Sequence, residues 1–236
     1  MEQAGALTVA DAIGRLQERI EAARQRAGRG DEVRLIGITK QVPVERIAEA
    51  YRAGLRHFGE NRVQEFEDKH PLLVLPSATW HMVGHLQSNK AGRALELFDC
   101  VDSLDSLHLA QKLDQAAGEQ GKRLPVLIQV HLGEEPSKHG VEPTSLAALA
   151  EQVAALPHLG IKGLMTIPPF LEPAERVRPY FQRLRELAEK IDRRRLPSVS
   201  MRRLSMGMTH DFEVAIEEGA TEVRLGTALF GPRPAR

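Results

Sequence analysis

The chain has one cysteine, Cys100, among its 236 residues. It cannot form an intramolecular disulfide or a multi-cysteine metal site, and a lone thiol of this kind is expected to be a buried packing residue. Neither sign of charge is in surplus: 32 Lys and Arg stand against 32 Asp and Glu, a formal net charge of zero with the nine histidines uncounted. Proteins that hold nucleic acid or lie on anionic membranes carry a basic excess or a basic amphipathic stretch, so neither partner is expected. No apolar run approaches the roughly 20 residues of a membrane-spanning helix. Residues 1–19 contain Glu2 and Asp11 and lack the basic start and apolar stretch of a secretory signal, so a cytoplasmic protein is expected. Tyrosines number two, Tyr51 and Tyr180, and both fall on segments patterned as helices, where they read as packing residues and not as bases at a strand end.

What is present is a regular alternation. Short apolar or β-branched runs recur at 33–39, 56–59, 79–84, 99–102, 125–132, 161–167, 202–206 and 221–226, which gives eight strand candidates. Helical patterns lie between them. The clearest spans 173–194, where Val177, Phe181, Leu184, Leu187 and Ile191 share one stripe. A second follows Pro143 with Leu146, Leu149, Ala150 and Val153, and Pro43 stands where a helix accepts proline in its first turn. A leading helix, 8–27, precedes the first strand. Eight strand–helix units in one domain of this length predict a closed parallel (β/α)8 barrel over residues 1–236, with a doubly wound open sheet as the alternative.

In such a barrel, chemistry sits where strands end and βα loops begin. Lys40 closes the first strand after the apolar run 35–39. Desolvation there lowers an ammonium's pKa, so that the amine can attack a carbonyl; a lysine snorkelling into solvent is the plain alternative. The loops after the seventh and eighth strands carry Ser205, Met206 and Gly207, then Gly226 and Thr227, with Arg224 close by and a short helix expected over 209–218. Hydroxyls, open backbone N–H groups and a helix start suit a phosphate; the plain reading is tight turns and an arginine paired with a carboxylate. Together with Lys40 they describe a site for a phosphorylated aldehyde.

Seven segments in order carry a more specific likeness: residues 38–40 (ITK), 58–65 (FGENRVQE), 80–90 (WHMVGHLQSNK), 137–140 (SKHG), 163–166 (GLMT), 204–208 (LSMGM) and 223–231 (VRLGTALFG). With these the chain resembles the YggS/PROSC group of pyridoxal phosphate homeostasis proteins over essentially its whole length. The resemblance implies a fold-type-III barrel like the cofactor-binding domain of alanine racemase, without the C-terminal β domain, and pyridoxal 5′-phosphate held as a Schiff base on Lys40. It further implies a phosphate grip around Ser205, Met206, Gly207, Gly226 and Thr227, with Asn61, His81 and Arg224 around the ring. Arg224 is left facing either the ring nitrogen or the phosphate. The sequence departs from the commoner Val-Ser-Lys-Thr pattern with Thr39 before the lysine and Gln41 after it.

The function so implied is storage, buffering and delivery of the cofactor, with amino acids as further ligands, cofactor-free enzymes as receivers, and a monomeric carrier in place of an enzyme. An amino-acid racemase is the alternative; a Schiff-base aldolase and a protein with no cofactor are further rivals. The pair His81 and His85 spans a strand end without a third ligand, so no metal is expected. Arg193 to Arg195 and Arg202–Arg203 read as solvated basic faces, and Lys90 and Lys138 as optional anion contacts.

Overall fold

The computed structural model describes residues 8–133 and 139–232. Residues 1–7, Ser137 and Lys138 of the fourth motif, and the chain after Pro232 lie outside the described residues. Eight parallel strands close into a barrel in sequence order: β1 (Arg34–Ile38), β2 (His57–Glu60), β3 (Thr79–Met82), β4 (Cys100–Leu104), β5 (Leu124–Gln129), β6 (Leu159–Met165), β7 (Val199–Ser205) and β8 (Glu222–Leu225). The expected barrel is therefore the observed one, and the open sheet is excluded by the β1–β8 pairing, which sets Ile36 beside Arg224 and Gly37 beside Leu225.

Around it run α1 (Val9–Arg26), α2 (Val44–Arg52), α3 (Val63–Lys69), α4 (Ala91–Leu97), α5 (Leu107–Glu119), α6 (Leu146–Ala154), α7 (Arg178–Asp192), α8 (Phe212–Glu217) and α9 (Thr227–Phe230). The leading helix α1 starts at a capping box, in which Thr8 accepts from the Asp11 N–H while Asp11 accepts from the Thr8 N–H. Pro43 stands one residue earlier than expected, as the residue preceding α2, because its extended φ and ψ of −60° and 148° are not helical. The long helix expected over 173–194 begins as a 3-10 turn at Ala174–Val177 and becomes α-helical only from Arg178. Its stripe Phe181, Leu184, Leu187 and Ile191 is buried, each such side chain contributing about 1.5–3 kcal/mol of transfer free energy. Tyr180 packs against the same core, and Tyr51 donates its hydroxyl to the Pro76 carbonyl.

Alternation along the strands divides the buried side chains into two regions. Phe58, Trp80, Met82, Val101, Val126 and Leu164 belong to the shell between sheet and helices. The inside of the barrel holds a separate apolar cluster of Ile36, Ile38 and Val83. Gly59 makes room for it: a Cβ there would stand 2.8 Å from Ile38 Cδ1 and 3.2 Å from Ile36 Cγ2. Toward the N-terminal end the interior is polar, which the apolar look of β1 did not announce. Arg203, read from sequence as part of a solvated basic face, points inward instead, with Nε 2.6 Å from Glu222 and Nη2 3.7 Å from Asp102. The reason is the two-residue period of β7, which sends Arg202 out and its neighbour in.

Candidate functional site

Lys40 lies two residues past the end of β1, after Thr39, and is half-buried at the C-terminal mouth. Both of its flanks are pinned. Thr39, fully buried, donates its hydroxyl to Glu60 Oε1 at 2.7 Å, and its carbonyl accepts from Lys69 Nζ at 2.8 Å. Gln41, at a φ of 58°, donates its backbone N–H to Glu65, which Lys69 also meets at 2.7 Å. Lys69 completes the group with an ion pair of 3.0 Å to Glu60. Burial pushes the Glu60 carboxyl above the usual carboxylate range, while Lys69 and Thr39 pull the other way. None of Glu60, Lys69 or Glu65 stood among the expected site residues. The Glu65–Lys69 spacing of four was visible as a helix pair, but nothing in the sequence showed that it reaches back to the peptides around Lys40.

On the neighbouring strand β8, Arg224 is buried at 4% exposure and donates from Nη1 to Ser205 Oγ and from Nη2 to the Thr166 carbonyl, both at 2.7 Å. Among the described residues it makes no ion pair within 4 Å, so the plain alternative of an arginine paired with a carboxylate does not hold. Burial lowers its pKa, against weaker opposing pulls from Asp102, Asp211 and Glu222. A buried guanidinium held by two neutral oxygens is an incomplete arrangement unless an anionic or accepting ligand joins it.

Next to it the chain turns at Gly207, whose φ is +95° and whose missing Cβ would stand 2.7 Å from Ala215 Cβ and 2.9 Å from Phe212 Cα. Only glycine takes both that conformation and that closeness, and so the loop after β7 lies flat on the start of α8. Met206 is fully buried and donates its N–H to the Glu222 carbonyl. Gly226 precedes the short helix α9, which opens with the exposed Thr227. The helix expected over 209–218 is shorter, because the Met208 N–H is taken by Asp211 Oδ1 at 2.7 Å and residues up to Asp211 form a turn. Continuing the β1–β8 register past Gly37 and Leu225 brings Lys40 toward Gly226 and Thr227.

Asn61 stands at the end of β2, half-buried, with its carbonyl pressed against Gly84, where a Cβ would come within 2.2 Å. It lines a cleft of about 320 Å³ with Arg62, Met82, His85, Gln87 and Lys90. His81 lies deeper. It is fully buried inside the barrel, with Nδ1 2.7 Å from Asp102 Oδ2 and 3.1 Å from Cys100 Sγ, and Nε2 3.1 Å from His57 Nδ1. Burial alone would raise Asp102, but His81 and Arg203 hold it below its ordinary pKa. Burial, assisted by Arg34, drops His57 from 6.5 to about 4. Cys100 is buried as expected, and burial pushes its thiol well up, which makes it inert.

Residues 12–234 match the family "Alanine racemase, N-terminal domain". The chain is 46% identical over 228 residues to the pyridoxal phosphate homeostasis protein of Aquifex aeolicus, covering 96% of this chain and 99% of that one. Among solved structures it is 40% identical to PipY of Synechococcus elongatus, covering 95% of this chain and 100% of that one, with TM-scores of 0.86 without pyridoxal phosphate and 0.84 with it bound. An alanine racemase of Clostridium difficile shares the fold at 14% identity and a TM-score of 0.68, matched over 95% of this chain and 61% of that one. With this identity over nearly full length, and with the barrel and its strand-end residues in place, the chain belongs to the family of pyridoxal phosphate homeostasis proteins, built on the alanine racemase N-terminal domain.

Proposed function

We propose that this protein binds pyridoxal 5′-phosphate at the C-terminal mouth of the barrel, holds it covalently on Lys40 and hands it on to amines, including those of cofactor-free enzymes. The observation that carries the reading is the buried Arg224, whose charge no carboxylate within 4 Å answers among the described residues, on the strand next to the one that Lys40 closes. The residues fit the cofactor. An anionic, aromatic aldehyde needs an amine, a fixed cation, a flat backbone cradle and apolar walls, and these are Lys40, Arg224, the Gly207 and Gly226–Thr227 loops, and Ile38 with Val83. The names of the relatives and the cofactor bound in PipY support the same reading.

Bound pyridoxal phosphate supplies an electrophilic aldehyde carbon and a ring able to accept electrons. The residues of this chain decide how much of that is used. Lys69, Glu60 and Glu65 hold the backbone on both sides of Lys40, so its amine is presented from a fixed strand end. Ser205, Met206, Gly207, Gly226 and Thr227 would hold the phosphate, and Asn61 would border the ring from β2. Arg224 lies two residues before Gly226, inside the barrel, which supports contact with the ring in preference to the phosphate. A permanent cation there opposes protonation of the ring nitrogen and weakens carbanion chemistry, which favours a carrier over a racemase. His81 acts from beneath, with both ring nitrogens already engaged. Amino acids compete for the aldehyde as free amines, and the carrier works as a cytoplasmic monomer; no helix of the described residues is long and apolar enough to cross a membrane.

The test is the visible spectrum after mixing with pyridoxal phosphate and desalting, for wild type beside Lys40→Ala, with borohydride reduction and peptide mapping. A band retained in wild type, absent in the variant and fixed by reduction to the Lys40 peptide is expected. A wild type that retains no band refutes the reading, and catalytic exchange of an amino acid's α-hydrogen in heavy water replaces the carrier with a racemase.

A further inference from the structure

Two groups of three metal-capable side chains occur among the described residues. The first, His81, Cys100 and Asp102, is sealed inside the barrel, offers the same His81 nitrogen to both partners, and has the Arg203 guanidinium 3.7 Å from Asp102. A dication there would have to enter a closed cavity beside a buried cation, at a large electrostatic cost. The second group is different in every respect. His85 follows β3, Asp105 follows β4 and His139 stands beyond β5, so three successive βα loops each send one side chain to the same point on the rim of the mouth.

Their donor atoms all lie within 4.8 Å of one another. His85 Nδ1 is 3.1 Å from Asp105 Oδ2; the His85 and His139 rings stack, with centroids 3.7 Å apart and an angle of 8° between their planes, so one exposed ring has to rotate before both imidazoles can point at one ion. Two donors on one tetrahedral zinc at bond lengths of about 2.0–2.1 Å are about 3.3 Å apart, so the His85–Asp105 pair already has the required bite. Two imidazoles and one carboxylate are the borderline donor set of zinc and its neighbours, and partial exposure of His85 and His139 leaves a path in and a position open to water. Along the chain His85 has only His81 as a visible partner, at a spacing of four; folding sends His81 into the barrel and brings His85 two other ligands from distant loops.

We propose that His85, Asp105 and His139 form a binding site for a divalent transition metal of the zinc class, held by three protein ligands with water completing the shell. The site ties together the loops after β3, β4 and β5. None of its ligands is among the groups proposed to hold the cofactor, so it stands or falls independently of that reading.

The experiment is calorimetric titration of the tag-free, full-length, cofactor-free chain with Zn²⁺, together with the visible spectrum of the Co²⁺ form. One saturable equivalent is expected, with an intense d–d band for Co²⁺ in a low-coordinate N/O site. His85→Ala and His139→Ala are each expected to weaken binding by at least tenfold, and Asp105→Asn likewise with the side-chain shape kept; circular dichroism checks that each variant is folded. Lys40→Ala is expected to titrate as wild type. Absence of a saturable equivalent in wild type overturns the proposal, as does binding that survives undiminished in both histidine variants.

Discussion

Replacing Arg224 with methionine separates a residue kept for a ligand from one kept for the fold. The side chain makes two hydrogen bonds of 2.7 Å, to Ser205 and to the Thr166 carbonyl. Hydrogen bonds of a charged group contribute about 1.5–3 kcal/mol each, so their loss costs roughly 3–6 kcal/mol. Against this, the variant is relieved of a buried cation whose desolvation penalty is several kcal/mol and which no carboxylate contacts directly. The two nearly cancel, and the cofactor-free variant is expected to unfold in urea within about 2 kcal/mol of wild type. Binding behaves otherwise. Removing one charge-assisted hydrogen bond to the ligand weakens affinity about 10- to 150-fold. At pyridoxal phosphate equal to 100 times the wild-type Kd, wild type gains about 2.7 kcal/mol of stability from binding. A variant binding tenfold more weakly gains about 1.4 kcal/mol at the same concentration, and one binding 100-fold more weakly about 0.4. Urea unfolding with and without the cofactor reads both quantities. A cofactor-free variant destabilised by more than about 4 kcal/mol, with the cofactor's stabilisation unchanged, would show that Arg224 holds the barrel together and that the reasoning is wrong.

Three further outcomes follow from the same geometry. Lys69→Met leaves the buried Glu60 carboxylate without its cation and is expected to cost about 3–5 kcal/mol, most of it regained when Glu60→Gln is added; strict additivity in urea melts of the two single variants and the double variant would rule out the coupling. His57 has a folded pKa of about 4 against an ordinary 6.5, so the unfolded chain takes up its proton first as pH falls. Stability from this group is therefore complete above about pH 6.5 and declines toward pH 4 by no more than about 3 kcal/mol, and in His57→Gln that part of the stability–pH curve is expected to flatten. Gly207→Ala forces a Cβ to within 2.7 Å of Ala215 at a positive φ, with an expected loss of about 1–3 kcal/mol by calorimetry and weaker cofactor retention after desalting.

The architecture was legible because most strands of this barrel contain a short apolar or β-branched run and alternate with helical stripes. All eight strands appear within a few residues of the expected positions. The start of β7 is three residues early, because Val199, Ser200 and Met201 precede two arginines and so hide the start of a strand, and β5 ends three residues short of the expected 132. Of the candidate site, position was legible: Lys40, Ser205 and Gly207 lie at or just past strand ends and Arg224 lies within β8. What could not be read was partnership across the barrel. Arg203 looked like surface charge until the sheet closed around it, and Lys69, four residues after Glu65, carries no sign in the sequence that α3 lies against Thr39. Those pairings join residues tens of positions apart, and hydrophobic period carries no information about them.

The barrel's inner charges also predict how binding responds to salt. Glu222 answers Arg34 at 2.7 Å and Arg203 at 2.6 Å, and Asp102 answers His81 at 2.7 Å, so both carboxylates of the lower interior are already committed. Arg224, nearest the mouth, is the buried cation left for the ring of an incoming pyridoxal phosphate, with the phosphate left to the loops after β7 and β8. Its field acts through low dielectric and across a few ångströms, well inside the Debye length of about 10 Å at 0.1 M salt. With a formal net charge of zero, the chain adds no long-range steering to be screened. Affinity for pyridoxal phosphate is therefore expected to change by less than about threefold between about 50 and 500 mM NaCl in a fluorescence titration. If the phosphate were instead held by exposed lysines such as Lys90 at the cleft, the same titration would show a loss of about tenfold or more, and the phosphate grip proposed for the loops after β7 and β8 would have to be abandoned.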